Sequence, residues 1–194
     1  MIRALTGALL GAVAMFIIGF ILFATPLYKI ATANLDDQQA AAVQQVMAAN
    51  LPRTGTYLVP EPDTRAQAEM YSRGPVATVH YNMRGFAPSD PGVLVAGFVH
   101  MLIVSLLGTY ALYLLSARIT PLAEQVKIAG TAIVAAAIFM RLGEPIWYHY
   151  DWTRAIYLFI ADVISLGVAA LIILKLLARQ APAVEQAGAS SELG

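Results

Sequence analysis

The chain has 194 residues, of which 59% are hydrophobic and 12% charged, against about 25% charged in soluble domains. That balance, with a mean hydropathy of +0.67, excludes an ordinary water-soluble globular domain. Twelve basic residues offset twelve acidic ones, so no net charge attracts nucleic acid, and the lack of cysteine excludes disulfides, thiolate metal sites and cysteine nucleophiles.

Four stretches are long enough to cross a bilayer, which takes about 20 apolar residues as helix. Residues 4–28 carry no charge and include the run Leu9 to Phe23, the first predicted span. Ala31-Thr32-Ala33 has the small-x-small form of a cleavage site, but the apolar stretch is longer than the roughly 7–15 residues of a signal peptide, so it reads as a retained helix. Pro91 to Ala117 is the second span, with His100 as its one ionisable group. The third is weaker, because Lys127 and Arg141 bracket a short apolar segment. Long basic side chains snorkel near helix ends, and Leu122 to Leu142 restores a spanning length. The fourth lies between Arg154 and Lys175 and contains Asp162.

The predicted fold is a mainly α membrane protein, four transmembrane helices with a small α/β cap between the first two. Arg3, Arg118, Lys127, Lys175 and Arg179 fall on one side if both termini are inside, which predicts a multi-pass inner-membrane protein with cytoplasmic termini. Residues 29–90 are then extracytoplasmic and 91–179 hold the remaining spans. Asp36 with Gln39 has the form of a capping box opening an Ala/Gln-rich helix to about Asn50, with Val43, Val46 and Met47 as its apolar stripe. Thr56 to Val59 reads as extended, Asp63 as the cap of a second short helix ending at Gly74-Pro75, and Val76 to Met83 as an alternating strand. Pairing of the two extended pieces would give a small sheet. Residues 180–194 are Ala-, Ser- and Glu-rich without periodicity and are predicted to be disordered.

Asp162 is the most informative residue, since an acid within a span costs about 2.5–3.5 kcal/mol on insertion scales and normally faces protein or water. At about 1.5 Å per residue it lies some 13 Å from the outer face, and His100 lies at a similar depth in the second span. Arg141 is about one turn shallower, on a neighbouring antiparallel helix, within reach of the carboxylate. Glu144, three residues on, shares its helix face and competes for it. Asp162, His100, Arg141 and Glu144 are thus the candidate catalytic or transport residues, and interhelical pairing is the competing structural role. No metal is predicted. His80, His100 and His149 are the available ligands on the outer side, but their spacing matches no metal motif, and His149 falls in a connection where a haem clamp would not place it.

Trp147, Tyr148, Tyr150 and Trp152, joined by Tyr157, form an aromatic cluster between the last two spans. An interfacial belt explains it; a lipid or quinone contact is the alternative, and no other cofactor is predicted. Gly7-x-x-x-Gly11, continued by Gly19, and Ala161, Ser165 and Ala169 mark faces suited to close helix packing. No phosphate-binding glycine loop, nucleophile elbow or zincin helix occurs.

With these pieces in place the layout resembles an uncharacterised family of small bacterial four-helix integral membrane proteins. The matching pieces are Leu51-Pro52-Arg53-Thr54-Gly55-Thr56-Tyr57, Gly74-Pro75-Val76-Ala77-Thr78-Val79-His80-Tyr81, the Trp147 to Trp152 cluster and Asp162. The resemblance implies the fold and contributes no catalytic residue. The leading functional expectation is a non-catalytic accessory or scaffold subunit of a larger membrane assembly, with electron transport as one setting and other membrane-protein subunits as partners. The alternatives are a small membrane enzyme or transporter built on Asp162, and an extracytoplasmic ligand-sensing module.

Overall fold

A computed structural model describes residues 2–178; the predicted disordered tail lies outside them. The fold is mostly helical, with four helices long and apolar enough to span a membrane and a two-stranded sheet. The chain separates into two compact units, residues 2–32 with 91–178, and Ala33–Asp90.

The helical unit begins with α1 (Ile2–Phe23), which stops five residues before the predicted end of the first span. Thr25 accounts for the difference: its side chain accepts from the Leu27 amide, and Pro26 opens a 3-10 turn over Pro26–Ala31. α4 (Pro91–Ser116) forms the second span as predicted. The third runs beyond Leu142, as α5 (Leu122–Ala137), a π turn (Ile138–Leu142) and α6 (Gly143–Tyr148), giving a continuous helical segment to Tyr148. The predicted span ends at Leu142, whereas the helical segment carries on through Pro145. Here the widened turn precedes it, where a regular helix would need an N–H at position 145 for the Arg141 carbonyl. α7 (Trp152–Ala178) is the fourth span.

α1 packs most extensively on α7 and α4, while α5 leans on α7 and barely meets α4. Small residues permit this. A Cβ on Gly7 would stand 3.6 Å from the Ile173 Cα, and one on Gly11 only 2.6 Å from Ser105 Oγ. Gly7 and Gly11 therefore meet α7 within the chain, and Gly11 also meets α4, whereas a Cβ on Gly19 would have no neighbour within 4 Å. Ala8, Ala12 and Met15 of α1 are buried with Ala161, Ala169, Ile173 and Leu174 of α7. Ser105 Oγ donates to the Ala8 carbonyl at 2.6 Å, a buried bond between α4 and α1. Gln125, only 3% exposed, ties the α4–α5 connection: Nε2 donates to the Ile119 carbonyl at 2.5 Å. The Ser116 hydroxyl is shared between the Leu112 carbonyl and Gln125 Oε1.

In the second unit, α2 (Asp37–Asn50) is opened by Asp36 with both halves of the capping box formed. β1 (Gly55–Val59) and β2 (Ala77–Tyr81) pair antiparallel, with Thr56 opposite His80 and Tyr57 opposite Val79. Between them lies α3 (Arg65–Arg73), whose cap is Thr64 rather than the predicted Asp63; the Thr64 hydroxyl accepts from the Gln67 amide. No residue of this unit is buried, and the predicted stripe of α2 leaves Val43 and Val46 exposed.

Candidate functional site

The polar centre of the helical unit joins two of the four predicted site residues. Arg141 lies in the π turn and Asp162 ten residues into α7, a helix against which that turn packs. Arg141 Nε donates to Asp162 Oδ2 at 2.7 Å, with both side chains a little under one third exposed. Short and charge-assisted, the bond takes up one carboxylate oxygen and one edge of the guanidinium. It crosslinks the third and fourth spans in a region where an unpaired charge would be costly.

Glu144 departs from the regular-helix expectation. In an α-helix residues three apart share a face, but an extra residue in the turn shifts every later position by one, roughly 100° around the axis. Among the described residues Glu144 forms no salt bridge. It lines a surface hollow of about 480 Å³ with Phe139, Met140, Gly143 and Trp147. His100 is exposed on α4, and no hydrogen bond or ion pair links it to Arg141 or Asp162. The four residues therefore do not converge on one polar cavity.

The remaining histidines lie apart. His80 is exposed on β2, where its Nδ1 is 3.0 Å from Thr56 Oγ1. His149 ends α6 in a left-handed conformation, φ 57°. Among the described residues no three His, Cys, Asp or Glu side chains come together as metal ligands do.

The aromatic residues divide into two groups. Trp147, Tyr148 and Trp152 are exposed, and Tyr148 lies 5.7 Å from Tyr150 between ring centroids. Tyr157, grouped with them on sequence, instead meets Phe23 and Tyr28 edge-on and donates to the Leu22 carbonyl at 2.5 Å. Arg154 donates to the Tyr28 hydroxyl at 2.6 Å. This second cluster binds the end of α1 to the start of α7. Sequence reasoning missed it because Tyr28 and Tyr157 are 129 positions apart and only a packed structure brings them together.

An apolar hollow of about 220 Å³ lies among α4, α5 and α7 and is lined by Gly108, Ala111, Ala129, Ala132, Ile133 and Leu166 among others. It contains no charged residue. No protein-family model matches the chain, and no curated protein or solved structure shows significant similarity to it.

Proposed function

We propose that this chain is a non-catalytic accessory or scaffold subunit of a larger bacterial inner-membrane assembly, with both termini cytoplasmic and residues 29–90 outside. The observation that carries the reading is the second unit. Its helices are capped and its strands are in register, yet it buries no residue. A unit under 60 residues needs a core, a staple or a partner to hold its shape, and a lone two-stranded sheet is marginal in water. A surface supplied by another subunit would complete it. The Arg141–Asp162 bond supports the same reading, because it gives the acid a structural role in tying the third span to the fourth. Electron transport remains one setting for such a subunit.

The test is native mass measurement of the full chain, released gently from its own membrane at natural abundance. The reading expects one companion in fixed stoichiometry. A lone monomer or homo-oligomer overturns it and favours a membrane enzyme or transporter centred on Asp162. Asp162→Asn separates those roles: a structural pair loses assembly, whereas a proton carrier assembles normally and loses activity.

A further inference from the structure

We infer that the Tyr28 hydroxyl, the Arg154 guanidinium and the Lys29 ammonium form a site for the phosphate of a membrane phospholipid, at the end of the helical unit where α1 stops and α7 starts. The inference goes beyond the accessory-subunit reading and does not depend on it.

Donor chemistry is the first argument. Arg154 uses one terminal nitrogen on the Tyr28 hydroxyl, at 2.6 Å, and its side chain makes no other hydrogen bond or ion pair among the described residues. Nε and the second terminal nitrogen keep the planar fork of N–H groups that suits two phosphate oxygens. The Tyr28 oxygen accepts from Arg154, so its own proton is left to donate, and no acceptor for it is found among the described residues. Lys29 follows Tyr28 in the same 3-10 turn, which packs on α7. It is exposed and forms no ion pair among the described residues. These groups offer donors and no free acceptor other than the lone pairs of one phenol, and an oxyanion answers all of them.

Rigidity is the second. The Tyr28 ring is held edge-on by Phe23 at 5.7 Å and by Tyr157 at 6.3 Å between centroids. The Arg154 guanidinium stands 5.7 Å from the centroid of the Tyr28 ring. A cation already fixed by a hydroxyl and a ring loses little further freedom when an anion binds.

Charge and depth are the third. The other charges at this end of the helical unit are Asp151, Arg141, Asp162 and Glu144. Arg141 and Asp162 bond to one another, and Glu144 lines a hollow in which neither Tyr28, Lys29 nor Arg154 takes part. Asp151 accepts from the Arg154 amide at 2.7 Å. Lys29 and Arg154 set against Asp151 leave one positive charge, which one phosphodiester balances. Arg154 lies in the first turn of α7, and Tyr28 lies just past the end of α1, so the site sits where the apolar spans end and headgroups begin. Exposed Trp152 at the same helix end matches the aromatic belt of that level. An acidic side chain of another protein is the competing occupant; the lipid is favoured because every phospholipid of the leaflet brings a phosphate to this depth.

The test uses the full chain in nanodiscs holding phosphatidylglycerol and a galactosyl diacylglycerol in equal amounts, the second lipid lacking phosphate. Native mass spectrometry after release counts the lipids retained on each chain. The expected result is one retained phosphatidylglycerol and little galactolipid. Arg154→Gln should lower that retention about tenfold and Tyr28→Phe about fivefold, with Arg154→Lys between wild type and Arg154→Gln because it keeps the charge and loses the fork. Lys29→Gln should lower it by a smaller factor, and tests the site even if another variant fails to fold, which far-UV circular dichroism reveals. Arg118→Gln, at the opposite end of the unit, should change nothing. Equal retention of the two lipids, or undiminished retention in Arg154→Gln or Lys29→Gln, overturns the site. An equal loss in Arg118→Gln also overturns it, since the attraction would then be one of general surface charge. Displacement of the lipid by millimolar inorganic phosphate would make the ligand the free anion and overturn the headgroup assignment. A carbodiimide crosslink from Lys29 to an acidic residue of another protein in the native membrane would overturn it in favour of a protein carboxylate.

Discussion

Replacing Gly11 by alanine places a methyl group 2.6 Å from Ser105 Oγ and 3.3 Å from Ile173 Cδ1. The first distance is about 0.8 Å short of ordinary contact, and the atom it meets already donates to the Ala8 carbonyl at 2.6 Å. Rotation of the hydroxyl toward its own helix relieves the clash but breaks the bond between helices, worth about 0.6–1.7 kcal/mol in membrane proteins. Overpacking against Ile173 adds about 1–3 kcal/mol. Helix propensity acts in the other direction, with alanine better than glycine by about 1 kcal/mol. The expected net loss is therefore about 1–3 kcal/mol. Reversible unfolding in mixed micelles titrated with dodecyl sulfate, followed by far-UV circular dichroism, measures it. The double variant Gly11→Ala, Ser105→Ala removes the hydroxyl and should lose less than Gly11→Ala alone. If Gly11→Ala is as stable as the parent or more so, propensity has won and the close approach of α1 to α4 is refuted.

The same geometry yields three further predictions. Arg141→Leu or Asp162→Leu alone should lower stability by about 2–3 kcal/mol, since each strands a charge in the span, and the double variant should recover most of it; equal losses for the single and double variants would show that the pair is not coupled. Gln125→Leu should cost about 1–3 kcal/mol by leaving the Ile119 carbonyl without its donor, read from the same unfolding titration, and an unchanged midpoint would refute the tie. Asp36→Ala should remove the capping box and about 1 kcal/mol of helix stability, seen as faster amide exchange confined to the first turn of α2; unchanged exchange there would refute the cap.

The apolar run lengths carry the four spans, because a bilayer imposes a length that a sequence displays directly. The small elements of residues 33–90 are nearly as legible, since Asp36 with Gln39 and the alternation through Val79 are local signals. What escapes is non-local or compensated. The third span reads as ending at Leu142 because nothing local announces the π turn that carries the helix on through Pro145 to Tyr148. Glu144 reads as a competitor for Arg141 because the regular helical period breaks at that turn. The Tyr28–Tyr157–Arg154 cluster depends on the packing of α1 against α7, which nothing nearby in the sequence encodes. Asp162 is visible because an acid in an apolar span is conspicuous, and its depth and the short α6–α7 connection point to Arg141. His100 counts to a similar depth in the sequence but is exposed on α4, and α4 is apolar on nearly every face, leaving no stripe from which to read orientation.

The central proposal is that another subunit supplies the surface that completes residues 33–90, and amide hydrogen exchange tests it directly. Exchange is compared between the full chain in its native membrane and the same chain purified alone in nanodiscs. The account predicts that amides of α2, β1, α3 and β2 are protected in the membrane and exchange at least tenfold faster in the isolated chain, while α1 and α7 stay equally protected in both. Equal protection of residues 33–90 in the isolated chain would contradict it, showing that the unit is stable without another subunit.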